Sequence, residues 1–254
     1  MLFGHHFWST TFLNSTLYGG TQIARRKGAV LDQQWYEDLQ LFTAIALSDT
    51  MCDCPDLLYL FSETDDNRAS VMEVARELYR RASRVHGNNT AIPDNFTNPG
   101  YSGYAEWYKA LHKHFVPVFV SVFPIKVPGN LNTMSEAQAM VRYAGEHGMM
   151  IVGIVAPAFH MPRAFLSAIS VAVRECLDIK VYALPGATPD WWYDPVVHSQ
   201  GQLRNTRAEL FRGGERERIA KYQQEGDYYL GGDLVSFQLA FEYLRARDKR
   251  SPSI

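Results

Sequence analysis

Apolar residues in this 254-residue chain fall into two alternating patterns. Unbroken apolar runs of strand length occur at Leu57–Phe61 (LLYLF), at Pro117–Phe123 (PVFVSVF), between Gly148 and Pro157 within MMIVGIVAPAFHMPRA, and at Ile179–Leu184. Continuous hydrophobicity, rich in Val and Ile, predicts strands buried on both faces, as in a parallel sheet. Elsewhere apolar positions recur at helical spacing. Trp35, Leu39, Phe42, Ala46 and Leu47 predict a helix from Asp32 to near Ser48, and further helices are expected at Arg68–Arg84, Tyr104–His114, Met134–Glu146 and Pro162–Leu177. A brief strand is expected at Thr90–Ile92. Strand, turn and helix in repeated succession make this an α/β chain with a mostly parallel sheet at residues 56–187. An irregular arm over residues 1–28 and the first helix occupy residues 1–55. An aromatic loop and two helices, Gln202–Lys221 and Asp233–Arg247, fill 188–254. The length suits a single domain with extensions.

The chemistry-bearing residues stand where strands end, the edge at which ligands gather in open α/β sheets. After Leu57–Phe61 comes Ser62-Glu63-Thr64-Asp65-Asp66-Asn67. Its hydroxyls and carboxylates suit helix capping; equally, Asp65 or Asp66 can accept a proton from a ligand, with Asn67 beside them. The next polar turn leads through Asn132 into a helix with Thr133 or Ser135 as cap, Glu136 being the capping-box partner of Thr133. In the third turn His160 and Arg163 flank Pro162 at a helix start. A helix N-terminus carries about half a positive charge, so a cationic first turn favours an anion. Arg163 would grip it through two parallel hydrogen bonds, and His160 would serve as general acid or donor. The competing expectation is that Arg163 pairs with a neighbouring carboxylate and His160 simply packs.

Composition narrows the options. A formal charge of −2 and a pI near 6.4 give no electrostatic footprint for nucleic acid. No Gly-x-Gly-x-x-Gly or phosphate-loop motif occurs, which removes classical dinucleotide and P-loop chemistry. No apolar run approaches the roughly 18 to 20 residues of a membrane span, and no leader pattern opens the chain, so a cytoplasmic protein is expected. Cys52, Cys54 and Cys176 are expected as free thiols, with no metal site, and His5-His6 as polar surface. Thr188–Gln200, with Trp191, Trp192, Tyr193, Asp194 and His198, is either a lid or aromatic packing.

Two motifs together carry a family resemblance. Asn132-Thr133-Met134-Ser135-Glu136-Ala137, an apolar strand, and then Phe159-His160-Met161-Pro162-Arg163-Ala164 resemble the YdcF/SanA/ElyC-like family over roughly Leu57 to Gly186. The resemblance implies a Rossmann-like three-layer sandwich with a pocket built from these turns, and brings in S-adenosylmethionine as a candidate cofactor. The chain departs from the family in its acidic Glu63–Asn67 turn, where members carry glycines, and at Ile125–Pro128, where they carry a Glu. The expectation is therefore a divergent member: an enzyme, transferase or hydrolase, acting on a phosphorylated, nucleotide-like or carboxylate small molecule. Arg163 and His160 would hold the anion, Asn132 and Thr133 orient it, Asn67 and Glu136 line the site, and Asp65 or Asp66 accept a proton. Alternatives are a non-catalytic binding protein and an S-adenosylmethionine-dependent transferase.

Overall fold

The computed structural model describes residues 33–51, 55–61, 65–86, 94–97, 104–115, 122–127, 132–187, 191–192, 195–197, 204–224 and 234–249. All of them belong to one compact unit, Gln33–Ile254. The expected N-terminal arm, the strand at Thr90–Ile92, the Ser62–Thr64 turn, Cys52, Cys54 and most of Thr188–Gln200 lie outside the described residues.

Strands β1 (Leu57–Leu60), β2 (Asp94–Thr97), β3 (Val122–Pro124), β4 (Ile151–Ala156) and β5 (Lys180–Pro185) form one sheet in the order β3-β2-β1-β4-β5. Every neighbouring pair is parallel. Helices α2 (Asp65–His86) and α3 (Tyr104–Phe115) connect β1 to β2 and β2 to β3. Helix α4 (Thr133–Glu146) then carries the chain back past β1 to β4, and α5 (Met161–Arg174) continues to β5. The winding direction therefore reverses between β1 and β4.

The unbroken apolar runs are explained by cover on both faces. Tyr59, Phe61, Ile154 and Val181 point into a core shared with α4, α5, α1 (Gln33–Ser48) and α8 (Phe237–Lys249). Leu58, Leu60, Val155 and Leu184 point the other way, against Val71, Met72 and Ala75 of α2 and Trp107 and Leu111 of α3. Helix α5 is buried at every position from Met161 to Ala172, because sheet and helices surround it.

Helix α8 starts at Phe237 rather than Asp233 and α5 ends at Arg174 rather than Leu177, and three further differences from the sequence expectation concern the polar turns and the C-terminal region. Helix α2 begins at Asp65 rather than Arg68, which places Asp65, Asp66 and Asn67 in its first turn. Helix α4 is capped by Asn132, not by Thr133 or Ser135. Asn132 Oδ1 accepts from the Ser135 amide at 2.9 Å, and Ser135 Oγ accepts from the Asn132 amide at 2.9 Å. This reciprocal box starts the helix one residue earlier than a Thr133–Glu136 box would, and leaves both Thr133 and Glu136 buried. The helix expected from Gln202 is broken up. Strand β7 (Arg204–Asn205) pairs antiparallel with β6 (Val196–Val197), followed by α6 (Arg207–Glu209), a π-helical segment (Leu210–Glu215) and α7 (Arg216–Gln224). Thr206 and Glu209 form the capping box that sets this start, a Thr-x-x-Glu pattern present in the sequence.

Gly153 shows how tightly β1, β4 and β5 pack. A Cβ there would lie 2.9 Å from Leu184 Cδ1 and 3.0 Å from Leu58 Cδ1. Gly153→Val is expected to destabilise the fold by about 1–3 kcal/mol, read as a lowered urea midpoint at unchanged slope.

Candidate functional site

The starts of α4 and α5 meet at the edge where the winding reverses. Four buried polar residues from three chain segments join there: Thr133 at the first position of α4, His160 immediately before α5, Arg163 in its first turn, and Glu215 at the end of the π segment. Arg163 donates to Glu215 through Nε at 2.5 Å and Nη2 at 3.1 Å, and to Thr133 Oγ1 through Nη1 at 2.5 Å. His160 Nε2 lies 3.1 Å from the same Thr133 oxygen. Arg218 adds a contact of 3.1 Å to Glu215 Oε1.

Local structure fixes each of these positions. His160 occupies the N-cap position of α5, but its backbone is helical and its side chain caps nothing. Its ring is instead held by Thr133 and by Phe61, whose ring meets it edge to face at 5.7 Å. Because Thr133 Oγ1 accepts from a guanidinium, its hydroxyl is polarised as a donor, and the favoured hydrogen bond runs from Thr133 to His160 Nε2.

Glu136, one turn into α4, accepts from Tyr59 OH at 3.0 Å. Burial, then the Glu136 charge and its hydrogen bond, hold the Tyr59 hydroxyl well above its ordinary pKa of 10.0. Tyr59 and Phe61 meet edge to face at 5.0 Å, so Tyr59, Phe61 and His160 form a row of rings beneath the α4 and α5 starts.

The structure thus brings together Thr133, His160 and Arg163, with Glu136 on the same face of α4. Asn67 is buried in the first turn of α2. Asp65 and Asp66 share that turn by backbone position, and their side chains lie outside the described residues. Asn132, expected to orient a ligand, is exposed and engaged in the α4 cap. The largest change concerns Arg163. The fork expected to grip an anion is filled by Glu215, because a guanidinium side chain only 7% exposed requires a matched carboxylate. Sequence reasoning missed Glu215. Its signal was Gly213-Gly214 within an otherwise helical stretch, a pair that weakens the α ladder and here falls inside the π segment.

Among the described residues no group of three His, Cys, Asp or Glu is placed to hold a metal ion, and Cys176 is a free, exposed thiol. No described helix is long and apolar enough to cross a membrane. Comparison with protein-family models, curated proteins and solved structures finds no match to the chain.

Two outcomes follow from this geometry. Glu215→Met strands a buried guanidinium and is expected to cost about 3–5 kcal/mol; adding Arg163→Met recovers much of that, as a double-mutant cycle of denaturant midpoints with both single variants will show. Tyr59 produces an alkaline limb. Above pH 10 the unfolded chain's tyrosines release protons while Tyr59 keeps its own, so stability falls as pH rises. Tyr59→Phe is expected to flatten that limb in melts taken between pH 9 and about 11.

Proposed function

We propose that the chain is a Rossmann-like enzyme, divergent from the YdcF/SanA/ElyC-like pattern, that acts on an anionic small molecule at the β1/β4 reversal. The observation that carries this reading is the buried Thr133–His160 contact of 3.1 Å at the meeting of two helix starts on the ligand-binding edge of the sheet. A hydroxyl within hydrogen-bond reach of an imidazole is an arrangement that moves protons. In this reading His160 handles the proton. Asp65 or Asp66, across the reversal at the start of α2, supplies the second acceptor. Arg163, locked by Glu215, holds Thr133 and its hydrogen bond in place rather than gripping the substrate. The α4 and α5 N-termini provide the field that favours an anion.

The test combines binding with turnover. The wild-type chain is melted with AMP, inorganic phosphate, acetate and S-adenosylmethionine as separate probes, because a ligand that binds only the native state raises the melting temperature. The stabilising probe is then incubated with wild type and His160→Ala, and products are followed by mass spectrometry. The expected result is turnover by wild type, reduced about 10²- to 10⁴-fold in His160→Ala, with circular dichroism unchanged. Tight binding with no product from wild type assigns the chain to the non-catalytic class. Stabilisation by S-adenosylmethionine alone assigns it to the transferases.

A further inference from the structure

Among the described residues the sheet ends at β5, and the outer edge of that strand is engaged. Lys180 N–H donates to Met150 O on the β4 side, so the backbone groups of Ile179, Val181 and Ala183 face outward. Four of those groups are bound by three side chains. Val181 N–H donates to Tyr243 Oη at 2.8 Å, and the same Tyr243 hydroxyl donates to Ile179 O at 2.7 Å. Arg247 Nη1 donates to Val181 O at 2.8 Å, and Ala183 N–H donates to Asp49 Oδ2 at 2.9 Å.

The three side chains are themselves locked together. Arg247 clasps Asp49 with Nη1 at 2.7 Å and Nη2 at 2.8 Å, both side chains about 5% exposed or less, and its guanidinium stacks 4.3 Å above the Tyr182 ring. The spacing makes this fit. Tyr243 and Arg247 are one turn apart on α8, about 6 Å along its axis, close to the roughly 6.6 Å at which outward-facing residues repeat along a strand. Asp49, just after α1, supplies the third position from the opposite end of the chain.

We propose that Tyr243, Arg247 and Asp49 are a side-chain substitute for a sixth strand: a latch by which α8 occupies the pairing edge of β5 and prevents it from adding a strand from a second copy of this chain. An unlatched β5 would present a row of free donors and acceptors on a largely apolar strand, Lys180–Pro185, a template for edge pairing.

The experiment uses full-length Tyr243→Phe/Arg247→Leu alongside wild type and the milder Tyr243→Phe. Amide hydrogen exchange is followed at Val181 and Ala183, with Leu58 and Ile154 in the sheet interior as the check that the fold is intact. Light scattering is followed across a concentration series. The latch predicts exchange at Val181 at least about tenfold faster in either variant, interior amides still protected, and a concentration-dependent larger species that wild type lacks. Unchanged exchange at Val181 and Ala183 overturns the proposal, and so do exposed amides with no new association. If the double variant loses interior protection, Tyr243→Phe alone decides, since it removes only a hydroxyl.

Discussion

The constraint on which the candidate site depends is the burial of Arg163. A guanidinium placed in the first turn of a helix enclosed on all sides cannot remain without a counter-charge. Glu215 meets that requirement from a segment more than fifty residues further along the chain. Once the fork is closed on Glu215, the remaining Nη1 proton is directed at Thr133, and Thr133 in turn fixes His160. One electrostatic demand thus orders four residues on three segments. It also changes the meaning of the cationic turn. Arg163 anchors this polar cluster, with its fork closed on Glu215 and its remaining donor on Thr133.

Topology decides why that anchor stands where a ligand would come. With the strand order β3-β2-β1-β4-β5, the connections after β1 and β4 leave toward opposite faces, and their ends draw apart at the carboxyl edge. Phe61, just beyond β1, lies under His160, which precedes α5 after β4. Tyr59 ties the same wall to Glu136 of α4. The cluster is therefore supported from below by aromatic packing and from the side by the α4 cap.

Both C-terminal additions to the sheet complete it physically. The π segment supplies the carboxylate that Arg163 demands, and α8 supplies polar groups that bind the outer edge of the last strand. Ser170 of α5 receives the amide of Val235, and Trp35 of α1 reaches Gln223 of α7, which binds Val235 in turn. Helix α1 and the C-terminal helices are consequently fastened to one face of the sheet by directional bonds as well as by apolar contact.

Much of the fold was legible in the sequence because burial on both faces writes itself as unbroken apolar runs; LLYLF, the run before Pro157 and the run before Pro185 mark β1, β4 and β5 within a residue or two. The polar turns after β3 and β4, which lead to Thr133 and to His160 and Arg163, were also legible from the local pattern. What the sequence left open was pairing at a distance. Whether Arg163 faces an anion or a carboxylate, and that Asn132 rather than Thr133 or Ser135 caps α4, depend on partners and registers that differ by one residue or a fraction of a turn. Glu215, hidden behind Gly213-Gly214, and the Asp49–Arg247 clasp across 198 residues carry no local periodicity at all. Local hydrophobic pattern determined β1, β4, β5 and most of the helices, but neither the polar β2 nor the break-up of the helix expected from Gln202. Only the tertiary structure, by bringing charges out of water and obliging each to find its complement, decided which polar residues anchor the fold.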